Sequence, residues 1–285
     1  MFFGPACIPC IVKQASAASL RFAADDEALQ YKIIRETCSA LSLADDSITA
    51  PGFSVILQDI LVKNTGVPDP YYYVKRRNLQ NAQNYIPLLR EIIRNSSDEL
   101  ETAVRAAIIG NAIDLSANPG FDIASEISRM NEDSITLPSY KRFREEVADA
   151  RLILYIGDNF EEALFDKLLI EALHPRRVAF AVRSAPVTND ITFRDAVEIN
   201  LPDLCEVVES GSRIAGTYIG QCSAQFMDLY ENADIVIAKG QGNYESMINE
   251  TRPVYFLFRV KCDVIAARSG FGKGMGVMIL NQSDK

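Results

Sequence analysis

The chain has 285 residues, of which 48% are hydrophobic and 24% charged, the composition of an ordinary globular protein with a sizeable core. Lys and Arg number 29 and Asp and Glu 38, so the net charge is −9, and most of the surface would repel a nucleic-acid backbone. No stretch approaches the ~20 apolar residues of a membrane span. The N-terminus MFFGPACIPC lacks the features of a secretory signal. We expect a cytoplasmic protein with neither a nucleic-acid nor a membrane partner.

The histidine and cysteine content restricts the chemistry. With His174 as its one histidine, the chain cannot build a multi-histidine metal site, and a Ser-His-Asp triad could use only that residue. Cys7 and Cys10 form a CxxC pair, but a structural zinc would need two more ligands nearby, so we interpret both as reduced structural thiols. Any metal must be held mainly by oxygen ligands or by cysteines.

Residues 1–147 have the apolar spacing of α-helices and predict an all-helical N-terminal region. Breakers such as Pro51-Gly52 and the Pro68-Asp69-Pro70 turn separate the helical patterns. The patterns run over 10–24, 28–44, 82–95 and 98–115.

Residues 148–285 alternate short, β-rich apolar runs with helical patterns. The runs are uniformly apolar, which is typical of parallel strands buried on both faces. They lie at 151–156, 177–182, 204–209, 234–239, 253–258 and 276–280. Strands separated by helices indicate βαβ units. We predict an α/β fold with a doubly wound, three-layer, mostly parallel, Rossmann-like sheet, and with the helical region packed over one end of it.

Polar residues collect just beyond the predicted strands, where open α/β sheets bind their ligands. Asp158 and Asn159 follow the first run, and Asp190 follows the second. Carboxylate and amide oxygens are hard ligands that suit magnesium or manganese. Simpler roles stay open, because Asp158 or Asn159 could cap the next helix and Asp190 could shape a turn.

The segment KGQGNYE (239–245) follows the fourth run and has the composition of a phosphate cradle. Its glycines let the backbone approach an anion, and Lys239 adds a positive charge. Neither a Walker loop nor a GxGxxG fingerprint after the first run is present. Lys261 follows the fifth run. A plain turn for the glycines and a solvated surface role for Lys261 stay open. Thr192 and Asp195 fit a structural capping box.

Four segments in this order, GDNFEEALFDKLLIE, VTNDIT, KGQGNYE and VKCDVIA, resemble the DUF89 family of damage-control phosphatases. In the helical half, CIPC, PDPY with Lys75 and Asn78 after it, and IIGNAID are similar to the prokaryotic branch of that family. The resemblance covers nearly the whole chain. It implies a phosphatase that depends on a divalent metal ion, with manganese, cobalt, nickel or magnesium as candidates. Its substrates would be small phosphometabolites, including sugar phosphates and phosphopantetheine-like compounds, and its role the removal of damaged or excess species.

The resemblance also implies roles for individual residues. Asp158 and Lys261 would be catalytic, and whether Asp158 attacks phosphorus or only holds metal stays open. The metal ligands would be Asp158, Asn159 and Asp190. The residues that would bind substrate are Glu162, Lys239, Gly240, Asn243, Asn111 and Asp114.

One departure from the family pattern concerns Phe160 and Glu161, where relatives usually carry two small residues. A bulky ring and an extra acid beside the metal would narrow the pocket or weaken phosphate binding. Two other functions stay open. The first is an S-adenosylmethionine-dependent methyltransferase, although no glycine-rich loop follows the first strand. The second is a protein that binds metal and phosphometabolite without turnover.

Overall fold

The computed structural model describes residues 3–44, 48–112, 123–130 and 134–281, which form thirteen α-helices, a short 3-10 helix (Ile219–Gln221) and one seven-stranded sheet. The helices are α1 (Cys7–Phe22), α2 (Glu27–Leu43), α3 (Ala50–Thr65), α4 (Tyr72–Gln83), α5 (Ile86–Arg94), α6 (Glu99–Ala112), α7 (Ile123–Ser128), α8 (Tyr140–Asp149), α9 (Ala163–Ala172), α10 (Phe193–Glu198), α11 (Ala224–Asn232), α12 (Gly240–Met247) and α13 (Asp263–Ser269). The strands are β1 (Ile135–Thr136), β2 (Leu152–Ile156), β3 (Arg177–Val182), β4 (Glu206–Glu209), β5 (Ile235–Lys239), β6 (Tyr255–Arg259) and β7 (Gly276–Leu280).

In the described part of the N-terminal region, the regular elements are helices apart from the two-residue strand β1. Helix α3 corrects the prediction of a break at Pro51-Gly52, because these two residues lie in the first turn of this helix. Pro51 lies in the first turn, where the missing N–H has no partner to lose. The Thr49 side chain caps the same turn by accepting from the Gly52 N–H at 3.0 Å. None of the described helices combines the length and the apolar character that a bilayer span requires.

The sheet has the order β1-β7-β6-β5-β2-β3-β4 and is parallel except that β7 runs antiparallel to β6. All six predicted strands are present, with ends within two residues of those expected. The expectation of burial on both faces is wrong for β4. This strand lies at an edge of the sheet, and Glu206 and Glu209 are exposed.

Alternate residues of each central strand face opposite helical layers. In β2, Ile153 and Tyr155 pack in the core built with α6 and α9, whereas Leu154 and Ile156 pack in the core built with α11 and α12. This is the predicted doubly wound, three-layer arrangement. A third, smaller apolar cluster joins α1, α2 and α3.

The chain changes direction between β2 and β5. From β2 it proceeds through β3 to β4 on one side, and from β5 to β6 on the other. At such a point the loops leave the neighbouring strand ends in opposite directions and open a crevice. The N-terminal helices α1 and α3 lie over this crevice.

Candidate active site

A cavity of about 460 Å³ lies over the carboxyl ends of the central strands. Asp158, Asn159, Asp190 and Lys261 all line it, so the structure brings together the candidate metal ligands and the candidate phosphate-binding lysine. Helices α1 and α3 form the facing wall, with Ala17, Ala18, Pro51 and Leu57 among its lining residues. The cavity therefore has a polar floor at the strand ends and a largely apolar wall.

Asp158 and Asn159 form the turn that follows β2. Helix α9 begins only at Ala163, and no side chain caps its N-terminus, so the helix-capping alternative does not describe either residue. An isolated antiparallel bridge joins Asn159 to Asp190, and the Ile191 N–H donates to the Asp158 carbonyl at 2.9 Å. This backbone pairing carries Asp190 from the end of β3 to the end of β2.

The Asp158 carboxylate lies in a cluster of buried acids. Burial raises the pKa of Asp158 well above its usual range, and the negative charges of Glu162 and Asp190 raise it further. The Asn111 amide donates to Asp158 Oδ2 at 3.1 Å and to Glu162 Oε2 at 2.8 Å. Asn111 thus links α6 to the site but brings no positive charge, and a cation bound here would stabilise the ionised acids.

Arg183, which the sequence reasoning missed, holds Asp190. Its Nε donates to Asp190 Oδ2 at 2.7 Å, and both side chains are almost completely buried. The guanidinium also donates to Thr217 Oγ1 at 3.1 Å and to Asn243 Oδ1 at 3.2 Å. Burial still raises the pKa of Asp190, although Arg183 and Thr188 counteract it. The available signal was position, because Arg183 is the first residue after β3.

Lys239, expected to bind substrate, lies beneath the cavity floor and is fully buried. Its ammonium pairs with Asp166 and, at 3.4 Å, with Glu162 Oε1. The Tyr155 hydroxyl donates to the same Asp166 oxygen at 2.7 Å. Burial opposes the charge on Lys239, but the two acids outweigh it and raise its pKa. Lys239 and Glu162 support the site from below and are not part of the cavity wall.

The KGQGNYE segment, all of whose residues the structure describes, is a strand end followed directly by a helix. It does not form the expected glycine loop. Lys239 ends β5, and Gly240 begins α12 with a φ of +78°. The fully buried Asn243 donates to the carbonyls of Gly157 at 3.1 Å and of Lys239 at 2.7 Å. Gly240 and Asn243 brace the strand ends; the residues of this segment that line the cavity are Gln241, Gly242 and Glu245.

Phe160 and Glu161 do not narrow the cavity, which corrects that expectation. Phe160 is fully buried in the core shared with α9, and Glu161 is 1% exposed. Glu161 Oε1 accepts from Asn78 at 3.1 Å and from Asn189 at 3.0 Å. The turn before α9 directs both side chains away from the cavity lining. Asp114, the other helical-region candidate, lies outside the described residues.

Lys261 follows β6 and is exposed at the cavity. Its backbone N–H donates to Gln241 Oε1 at 2.9 Å, which ties the loop after β6 to α12. Arg21 of α1 lines the cavity as a second cation. A lysine and an arginine within the same cavity as the buried acids suit an anionic ligand that also contacts a metal.

The donor set at the strand ends fits a hard divalent cation. It consists of the Asp158 and Asp190 carboxylates and the Asn159 amide, all oxygen donors of the kind that magnesium and manganese prefer. The described residues contain no group of three His, Cys, Asp or Glu side chains arranged to hold a metal ion. A metal at this position therefore depends on the amide oxygen of Asn159 as its third protein ligand.

Comparisons with known proteins agree with this architecture. Residues 4–277 match the family described as the damage-control phosphatase ARMT1-like domain. The chain is 32% identical to Damage-control phosphatase PH1575 of Pyrococcus horikoshii, over 97% of each chain, and 27% identical to a damage-control phosphatase of Archaeoglobus fulgidus, over 96% of this chain and 97% of that one. The crystal structure of the DUF89 family protein PH1575 superposes with a TM-score of 0.88 at 30% identity, covering 99% of this chain and 100% of that one. The chain belongs to the damage-control phosphatase family.

Proposed function

We propose that the protein is a divalent-metal-dependent phosphomonoester hydrolase that acts on small phosphorylated metabolites, sugar phosphates among them, in metabolite damage control. The observation that carries this proposal is the meeting of Asp158, Asn159 and Asp190 with Lys261 in the wall of one cavity. The relatives from Pyrococcus and Archaeoglobus, both named as damage-control phosphatases, support it.

The residues divide into those that touch the ligands and those that position them. Asp158, Asn159 and Asp190 would hold manganese, cobalt, nickel or magnesium, which supplies Lewis-acid stabilisation of phosphate oxygens when bound. Lys261 places an ammonium at the cavity, where it stabilises the charge of the transferring phosphoryl group.

The buried residues around this set keep it in place. Arg183 orients Asp190 through the 2.7 Å ion pair, and Asn111 orients Asp158 through the 3.1 Å hydrogen bond. Lys239 neutralises Glu162 and Asp166 beneath the floor. Side chains that are already in position need little reorganisation during the reaction. Such preorganisation is the main source of electrostatic catalysis.

The test is phosphate release from para-nitrophenyl phosphate and from a panel of sugar phosphates. The protein is first treated with a chelator and then given manganese, cobalt, nickel or magnesium. We expect no release after chelation and restored release with at least one metal.

Other outcomes favour the other functions. A protein that binds metal but releases no phosphate with any of the four ions would be a non-catalytic phosphometabolite-binding protein. Binding of S-adenosylmethionine in the absence of metal, without phosphate release, would favour a methyltransferase.

A further inference from the structure

A second polar group in the cavity has no part in the proposed phosphate chemistry. Glu245, on α12, is 7% exposed and lines the same cavity as Asp158 and Lys261. A buried carboxyl group without a paired cation is costly unless a ligand or a hydrogen-bond network compensates for it. The position of Glu245 therefore calls for an explanation beyond the metal and phosphate site.

Gln241 fixes the orientation of this carboxyl. The Gln241 Oε1 accepts from the backbone N–H of Lys261 at 2.9 Å. Because a backbone N–H can only donate, this contact assigns the amide oxygen. The Gln241 Nε2 then donates to Glu245 Oε1 at 2.8 Å and lies 3.8 Å from the Cys262 sulfur. The pair is thus joined directly to the chain segment that carries Lys261.

The other oxygen of Glu245 is available to a ligand. Within the described part of the chain, Oε2 has no hydrogen-bond donor, and the side chain borders the cavity. Oε2 is not among the fully buried polar atoms that lack a partner in this part of the chain, so it opens onto the cavity, where a ligand can reach it. Burial raises the pKa of Glu245 to about 7, and Gln241 and Arg268 oppose the rise. Near neutral pH, Oε2 therefore serves as either a donor or an acceptor.

We propose that Glu245, oriented by Gln241, determines substrate specificity by binding a hydroxyl group on the carbon skeleton of the phosphorylated substrate. A hydroxyl both donates and accepts, which matches the two states of Oε2. A phosphate at this position would be repelled by the carboxylate, whereas Lys261 attracts it. The substrate would therefore lie with its phosphate toward Lys261 and its hydroxyl-bearing carbons toward α12. This assignment rests on the proposed phosphatase function and deepens it.

The first test compares a hexose phosphate with para-nitrophenyl phosphate, whose ring carries no hydroxyl. We expect E245A to lower the ratio of the two kcat/KM values, hexose phosphate over para-nitrophenyl phosphate, by about 10- to 100-fold, mainly through KM. E245Q keeps a hydrogen-bonding group of the same shape, and we expect it to recover part of the loss. E209Q is the charge-matched control, because Glu209 is exposed on β4 and does not line the cavity; its ratio should stay within about twofold of the wild type.

The second test measures binding and separates this inference from the proposed function. Calorimetric titrations with a hexose phosphate and with inorganic phosphate are compared for the wild type, E245A and E245Q, after circular dichroism has confirmed folding. A loss in E245A that is at least about tenfold greater for the hexose phosphate supports the assignment, even if the wild type hydrolyses neither ester. Equal losses of affinity for the two ligands in E245A, or no loss, would overturn it. Tighter binding of aminoethyl phosphate than of the hexose phosphate by the wild type would overturn it as well.

Discussion

Gly240 lies so close to Asp158 that a β-carbon at position 240 would collide with the carboxylate oxygen Oδ2. Its φ of +78° is also in the left-handed region that favours glycine. Gly240 begins α12 at the end of β5, and Asp158 follows β2, the neighbouring strand. The missing side chain therefore provides the space in which the candidate metal ligand lies.

Gly240→Ala is expected to displace the Asp158 carboxylate and to weaken metal binding by at least about tenfold, since one ligand is lost from the set. Gly270→Ala is the matched control, because Gly270 has the same φ of +78° and open space around it. Both variants should lose about 1–2 kcal/mol from backbone strain. Urea unfolding and manganese titration separate the two effects. Equal metal affinities in the two variants would contradict the steric relationship.

Asp158→Ala should abolish metal binding and phosphate release while the protein stays folded. Asp158 is a proposed metal ligand that lines the cavity, and burial together with two neighbouring acids raises its pKa. Removing this carboxylate relieves repulsion, so the free energy of unfolding should change by less than about 1 kcal/mol. Calorimetric titration with manganese and urea unfolding test this, with the exposed Asp203→Ala as the control. Unchanged metal affinity in Asp158→Ala would remove this residue from the metal site.

Lys261→Ala should reduce kcat/KM for phosphate esters by about 100-fold or more, since a charge that stabilises the transition state is removed. Metal affinity should change far less, because an ammonium is not a metal ligand. Lys63, an exposed lysine on α3 that pairs with Glu36 of α2, provides the control Lys63→Ala. Steady-state kinetics and metal titration are measured for both variants. Wild-type turnover in Lys261→Ala would exclude the residue from the site.

Lys239→Met should destabilise the fold by about 3–5 kcal/mol, because Glu162 and Asp166 would remain buried without their cation. Asp166→Asn should be less costly in the Lys239→Met background than in the wild type. The double-mutant cycle by urea unfolding measures this coupling. A fully additive cycle would show that the buried ion pair is not formed. We also expect kcat to fall in Lys239→Met through disturbance of Glu162, with little effect on KM.

Glu245→Gln should stabilise the protein at alkaline pH and have little effect in acid. Folding raises the pKa of Glu245 from 4.5 to about 7, chiefly through burial. The unfolded chain therefore binds fewer protons between these values, and wild-type stability falls as pH rises from about 4.5 toward 7. Its total loss is at most about 3 kcal/mol, an amount that an uncharged glutamine does not incur.

Melting temperatures of the wild type and Glu245→Gln at pH 4 and pH 8.5 test this dependence. The groups that face Glu245 are Gln241 on its own helix, Arg268 on α13, Cys10 on α1 and Tyr218. The Cys10 thiol and the Tyr218 phenol ionise above the pH range over which Glu245 titrates. A constant difference in melting temperature across the pH range would mean that Glu245 does not titrate within it.

The sheet could be predicted because its strands are short, uniformly apolar and separated by helical patterns, and burial on both faces requires that composition. The strand end at Ile156 and the acid after it then located the cavity. Helix α3 was missed because Pro51 and Gly52 were interpreted as breakers. In the first turn of a helix a proline is favourable, and only the Thr49 cap distinguishes the two cases.

The residues of the candidate site could be predicted more completely than the positions of their side chains. Lys239 ends one apolar run and Lys261 follows another, but the Lys239 side chain points into the interior, where Asp166 and Glu162 neutralise its charge. That difference depends on the helix α9 packed behind β5, which no local pattern encodes. Arg183 was missed for the same reason, since its partner Asp190 comes from the loop beyond it. The sequence places Glu245 after the fourth run but assigns it no role, because that role arises only when α1, α12 and α13 enclose one cavity.

The two walls of the cavity are stabilised by separate sets of apolar contacts. The floor stands on strand ends anchored in the two large cores of the sheet, whereas α1 and α3 are packed with α2 in a cluster of their own. Substitutions in α1 or α3 that reshape the side facing the cavity therefore leave the two cores beneath the candidate metal ligands intact. Under the proposed function, substitutions in these helices can change which metabolite fits the cavity, while the candidate metal site at the strand ends keeps its support.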